Sequence, residues 1–94
     1  MYKIRYTPHF KRTYRKLTKR DNKLKEITKV VIRKLVENPF NPSLDTHKAS
    51  NPIFGKAWSS RVTGDIRMIW DLTDHEVILL LAFGGHSGKH KIYK

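Results

Sequence analysis

The chain has 94 residues, 20 of them Lys or Arg against 8 Asp or Glu, and a formal net charge of +12. That is enough for one small domain over residues 1–94, and its positive field points to a polyanionic partner. With no cysteine, a disulfide framework and a thiolate-held zinc are excluded, in keeping with a cytoplasmic protein. The longest apolar run, Val77 to Phe83, is too short for a bilayer, and Met1–Arg5 lacks a signal-peptide core, so no membrane is expected.

In chain order, Tyr2 to Tyr6 alternates and predicts a short edge strand. Thr7-Pro8 starts a helix, with a hydroxyl at the N-cap and proline at the first helical position. Phe10, Tyr14 and Leu17 form its apolar face. Arg12, Arg15, Lys16 and Lys19 crowd the rest, either as a solvated face or as a sequence-independent phosphate-contacting surface. Asp21 caps a second helix with Leu24, Ile27, Val31 and Leu35 as its stripe, stopped by Asn38-Pro39. Asn38 to Gly55 carries three of the four prolines and reads as a loop.

Trp58 to Asp71 reads as two antiparallel strands. Trp58, Val62, Ile66, Met68 and Trp70 face a core, and Ser59, Arg61, Arg67 and Asp71 face away from it. A three-residue Thr63-Gly64-Asp65 loop, with Gly64 available for a positive φ, pairs Arg61 with Arg67 and keeps each face consistent. Like charges directly opposite are destabilising, which is most easily tolerated where an anion sits between them. A two-residue Asp74-His75 loop then pairs Leu72 with Val77 and sets the small Ala82 opposite Arg67. Glu76–Phe83, apolar on both faces, belongs inside the sheet. Gly84-Gly85 breaks it and lets the basic tail fold back over the arginine face. The fold class is α+β: an N-terminal strand, an antiparallel αα hairpin, then a three-stranded antiparallel meander with the helices on one sheet face. The other face is expected to be open and basic.

There is no phosphate-binding glycine loop, HExxH or G-x-S-x-G. Acidic residues are too few and dispersed for a two-metal site. His86 and His90 are flanked by lysines and lack a third ligand, so neither metal nor cofactor is expected. What remains suits metal-free RNA cleavage, in which the ribose 2′-hydroxyl attacks its own phosphate. Arg61 and Arg67 can neutralise charge on the phosphorus centre, a histidine such as His86 can move protons, and Tyr93 or Trp58 can stack on a base. His9 and His75 read as surface residues.

The block from Trp58 to Trp70, WSSRVTGDIRMIW, resembles the W-S-x-R-I/V-x-G-x-x-R-L/M-V/I-Y/W segment of the RelE/ParE toxin superfamily. Within it the chain is most similar to the YoeB, YafQ and RelE type of ribosome-dependent mRNA interferases, over essentially its whole length. The resemblance implies that Arg67 is the catalytic arginine, that His86 acts in proton transfer, and that His47 stands where relatives have a histidine or glutamate base. Tyr93 and Lys89 lie at the spacing of a tail tyrosine and its basic neighbour. The division of acid and base among His47, His86, His90 and Tyr93 stays open. Lys48, Trp58, Lys89, His90, Lys91 and the basic helix are expected to hold RNA. The implied partners are a cognate antitoxin protein, mRNA in the ribosome with its rRNA, and operator DNA for the toxin–antitoxin complex. The alternatives are a ParE-like gyrase-inhibiting toxin, which generally lacks this Arg and His set, or a non-catalytic antitoxin-binding member.

Overall fold

Thr7 does two jobs that set the architecture. In the computed structural model, which describes residues 1–51, 53–74 and 76–85, its Oγ1 accepts from the Phe10 amide at 3.1 Å. It thereby caps helix α1 (Pro8–Thr18). The same hydroxyl donates to the Leu80 carbonyl at 2.9 Å. Strand β1 (Lys3–Tyr6) ends just before it, and helix α2 (Asn22–Glu37) follows α1, capped by Asp21 accepting from Leu24 N at 3.0 Å. A 3₁₀ turn at Pro42–Leu44 leads to four further strands: β2 (His47–Asn51), β3 (Gly55–Arg61), β4 (Arg67–Thr73) and β5 (Val77–Gly84).

The sheet has five strands in the order β1-β5-β4-β3-β2. β1 is parallel to β5 and every other pair is antiparallel. β1 covers β5 only from Val77 to Leu80. Beyond that, α1 takes its place, and Thr13 Oγ1 accepts from the Phe83 amide at 3.1 Å. Helix hydroxyls thus satisfy backbone groups that a strand would otherwise pair.

Phe10, Leu24, Val31 and Leu35 from the helices pack with Val62, Met68, Trp70, Ile78, Leu80 and Phe83 in one core, flanked by Tyr14, Leu17, Ile27, Trp58 and Ile66. The expected core and the α+β architecture with helices on one sheet face are found. The opposite face carries a second, smaller apolar cluster of Ala57, Ile69, Leu81 and Ala82, with Ala49, Phe54 and Leu79 against it. That face, expected to be open and basic, therefore has an apolar floor.

The β3–β4 register is the expected one, with Arg61 opposite Arg67 and Trp58 opposite Trp70. Gly64 is not left-handed, however. Thr63 Oγ1 closes the turn by accepting from Ile66 N at 3.0 Å. The segment expected as a loop contains β2, which adds to β3 at the sheet edge. The β4–β5 register also differs. Thr73 pairs with Val77 and Leu72 with Ile78, so the connection is three residues long. A bulge after Ile69 then sets Ala82 opposite Ile69 and Gly84 opposite Arg67. The expected pairing placed Ile78 against Asp71; the observed one puts Ile78 in the core and absorbs the extra residue at Leu81.

Candidate functional site

The chemistry-bearing residues gather where β2, β3 and β4 meet on the face away from the helices. A hydrogen-bonded chain fixes the approach to it. Trp70 Nε1 donates to Ser60 Oγ at 2.8 Å, Ser60 Oγ lies 2.7 Å from Thr46 Oγ1, and Thr46 Oγ1 donates to the Pro39 carbonyl at 2.7 Å. Thr46 has one hydroxyl proton and spends it on Pro39, so Ser60 is the donor to Thr46. This anchors Thr46 to the core and holds its neighbours Asp45 and His47 beside β3.

Arg67 is 7% exposed. Its Nε donates to Ser59 Oγ at 2.6 Å. One terminal nitrogen, Nη2, donates to the Asp45 carbonyl at 2.6 Å and the Ser59 carbonyl at 3.2 Å. The other, Nη1, donates to Asp45 Oδ2 at 3.2 Å, forming an ion pair. His47 Nδ1 lies 3.3 Å from Arg67 Nη2 and 3.1 Å from the Asp45 carbonyl. A buried guanidinium needs such partners, since its desolvation is otherwise costly. Asp45 supplies two of them because it is left-handed, at φ 49° and ψ 46°, a conformation that Asp and Asn accept more readily than most residues. Sequence reasoning passed over Asp45. Its one signal was an aspartate two residues ahead of His47.

Two more features shape the surroundings of Arg67. Gly84 stands opposite Arg67, so no side chain rises there; the expected small neighbour is this glycine and not Ala82. Gly85 lies against the β3–β4 turn, where a Cβ would meet the Asp65 carbonyl at 3.0 Å and its carboxylate oxygens at 3.3 and 3.4 Å.

Of the expected site residues, Arg67 and His47 come together. Arg61 pairs with Arg67 but is exposed, and the two guanidinium groups therefore differ in kind. Trp58 and Lys48 lie on the other face. Trp58 stacks on Trp70 at 6.0 Å and meets Phe40 edge-on at 5.0 Å, and Lys48 Nζ sits 5.6 Å from the Trp58 ring centre. Trp58, expected to stack on a base, is half-buried on the core side, as strand alternation requires, and so on the face away from Arg67. Arg12, Arg15, Lys16 and Lys19 are exposed on α1 in the helix layer. Arg15 and Lys19, with Tyr6, Tyr14 and Ile32, line a hollow of about 510 Å³ there, apart from Arg67. His86, Lys89, His90, Lys91 and Tyr93 lie outside the described residues. Among the described residues no cluster could hold a metal ion, and no helix is long and apolar enough to cross a membrane.

His9, read as a bare surface residue, packs its ring edge-on against Phe54 at 5.5 Å. Burial, with Arg12 and Lys16 nearby, lowers its pKa.

Solved structures share this fold. The YoeB/ParE toxin from Agrobacterium tumefaciens superposes with a TM-score of 0.70 at 17% identity, covering 90% of this chain and 99% of that one. YafQ from E. coli strain BL21(DE3) gives 0.68 at 21%, covering 90% and 93%. The E. coli DinJ-YafQ toxin-antitoxin complex gives 0.69 at 21%, covering 90% and 92%. Among curated proteins nothing matches this chain. A family model described as the bacterial toxin of type II toxin-antitoxin system, YafQ, matches residues 2–90. That match spans nearly the whole chain, including β2 with His47 and the β4 strand that carries Arg67, and the protein accordingly belongs to the YafQ family of bacterial type II toxin–antitoxin toxins.

Proposed function

We propose that this toxin is a metal-independent endoribonuclease that cuts mRNA on the ribosome. The observation that carries the reading is the buried, fully oriented Arg67 with the His47 imidazole 3.3 Å away and Gly84, which has no side chain, opposite it on β5. In the reaction the substrate's 2′-oxygen attacks the adjacent phosphorus. The O2′–P bond forms, the P–O5′ bond breaks, and a 2′,3′-cyclic phosphate and a 5′-hydroxyl result. Arg67, with Arg61 beside it, offsets the charge that builds on the phosphoryl oxygens. In the tautomer whose Nδ1–H donates to the Asp45 carbonyl, His47 carries its lone pair on Nε2 and can take the 2′ proton. The proton for the leaving 5′-oxygen comes from the segment after Gly85, where His86, His90 and Tyr93 are the candidates; Lys89 and Lys91 there add positive charge. Lys48 and the α1 cations Arg12, Arg15, Lys16 and Lys19 hold ribosomal or messenger RNA through phosphates. A cognate antitoxin binds and neutralises the toxin in the cytoplasm, a reading supported by the toxin–antitoxin complexes DinJ-YafQ and YoeB-YefM among structures of the same fold, and the pair binds its operator DNA.

The test maps 5′ ends of cellular mRNA after brief induction of wild type, Arg67→Gln and His86→Gln, with antitoxin capture as the check on folding. New 5′ ends in wild type that vanish in Arg67→Gln are expected. Intact messages accompanied by DNA damage would favour a gyrase-inhibiting toxin instead, and undiminished toxicity of Arg67→Gln would reject the catalytic role.

A further inference from the structure

The Arg67 guanidinium has an inner and an outer end. Nε and Nη2 bind atoms that cannot leave: Ser59 Oγ, the Ser59 carbonyl and the Asp45 carbonyl. Among the described residues the outer nitrogen, Nη1, has one partner, the Asp45 carboxylate at 3.2 Å. That carboxylate belongs to a side chain 58% exposed, whereas the Arg67 side chain is 8% exposed. The fixed contacts orient the arginine, and the exposed carboxylate caps its exchangeable end. No other acidic side chain among the described residues forms an ion pair with Arg67; Asp65 lies against Gly85 instead. A carboxylate and a phosphate present the same oxygen pair to a guanidinium, and both cannot occupy one nitrogen without like charges in contact.

We propose that the Asp45 carboxylate occupies, in the free protein, the place on Arg67 that an RNA phosphate takes, so that RNA enters by displacing it. Asp45 is then a gating residue for the anion, resting on the assignment of Arg67 as the phosphate-binding group. Its side chain swings into water when displaced, while its backbone carbonyl keeps hold of Arg67 Nη2 and His47 Nδ1. The two functions separate because only the carboxylate is exposed. An ion pair whose carboxylate is exposed to water in this way holds an equilibrium back by about two- to fivefold.

The experiment titrates the isolated protein with inorganic phosphate and with a four-nucleotide 2′-O-methyl RNA, which cannot be cleaved. Affinity is read by calorimetry and by the NMR signal of the Arg67 Nε–H. Asparagine tolerates the left-handed backbone and keeps an amide oxygen, so Asp45→Asn removes the charge with little change of shape. Asp45→Asn is expected to bind both probes about two- to fivefold more tightly. Asp71→Asn, which removes an exposed charge elsewhere on β4, is expected to leave binding unchanged. The gain is also expected to disappear when Asp45→Asn is combined with Arg67→Gln. Unchanged or weaker binding by Asp45→Asn overturns the proposal, as does an equal gain from Asp71→Asn or in the Arg67→Gln background. No cleavage is read here. Intact messages on induction would therefore reject the nuclease reading and leave the gate standing, and a flat titration would do the reverse.

Discussion

At the scale of single residues, the site depends on a charge kept out of water by a few well-placed acceptors. Ser59 is fully buried and its Oγ takes the Arg67 Nε–H at 2.6 Å. Ser59→Ala leaves a buried charged donor without that acceptor. Urea denaturation should show a loss of about 1–3 kcal/mol, and mRNA cleavage should fall more than antitoxin binding because the guanidinium is no longer oriented. Gly85 is constrained differently. A methyl there would meet the Asp65 carbonyl at 3.0 Å, and that atom is backbone in a tight turn. Gly85→Ala should therefore cost about 1–3 kcal/mol by the same measurement, whereas Gly64→Ala, with open space around its Cα and φ outside the left-handed region, should cost much less. Arg67 was legible in the sequence as a residue type suited to phosphate chemistry, and His47 only through the family resemblance. Asp45 was not, because half of its role passes through a backbone carbonyl whose direction is set by a left-handed φ, and composition carries no trace of that.

At the scale of elements, what could be read was whatever local chemistry dictates. Thr7-Pro8 and Asp21 start their helices as hydroxyl and carboxylate caps should, and the alternation from Trp58 to Trp70 admits only one register across the Thr63–Asp65 turn. β2 escaped because His47-Lys48-Ala49-Ser50-Asn51 has no apolar alternation; an edge strand of this kind exists through its pairing to β3. The β4–β5 register escaped because Val77–Phe83 is apolar at every position, so its pattern is the same after a shift of one. The contact between α1 and the β2–β3 connection yields a pH prediction. His9 has its pKa lowered by burial against its surroundings and by Arg12 and Lys16. The folded state therefore binds fewer protons than the unfolded chain near pH 6.5. Stability from this group is present above the unfolded value and is lost as pH falls through it toward the lower folded value. Thermal unfolding between pH 5 and 8 should show stability rising with pH, with a shallower rise in His9→Gln; equal slopes in the two proteins would deny His9 this role.

At the scale of the whole molecule, cations and chemistry sit on different elements. The net charge of +12 is carried largely by exposed side chains, and α1 with its C-cap displays Lys11, Arg12, Arg15, Lys16 and Lys19. The Arg67 cluster lies on β2, β3 and β4, over a floor of Ala57, Ile69 and Ala82 that α1 meets through the contact of His9 with Phe54. Binding strength and cleavage should therefore come apart under mutation. A phosphate neutralised by a lysine or arginine releases counterions, so each such contact steepens the fall of affinity with salt by about 0.7–0.9 in the log–log slope. Replacing Arg12 and Lys16 together with Gln should flatten the salt dependence of ribosome binding by roughly 1.4–1.8 if both touch phosphate. Affinity should fall alike for every message, with the cut positions unchanged. Arg67→Lys keeps one positive charge but loses the planar fork that holds Ser59 and Asp45 at once. It should leave the slope nearly as it was and abolish cleavage. Salt titration of ribosome binding beside 5′-end mapping separates the two classes. If Arg12 and Lys16 shift the cut sites, or Arg67→Lys flattens the slope by as much as the double variant does, the helix layer and the Arg67 face act as one surface.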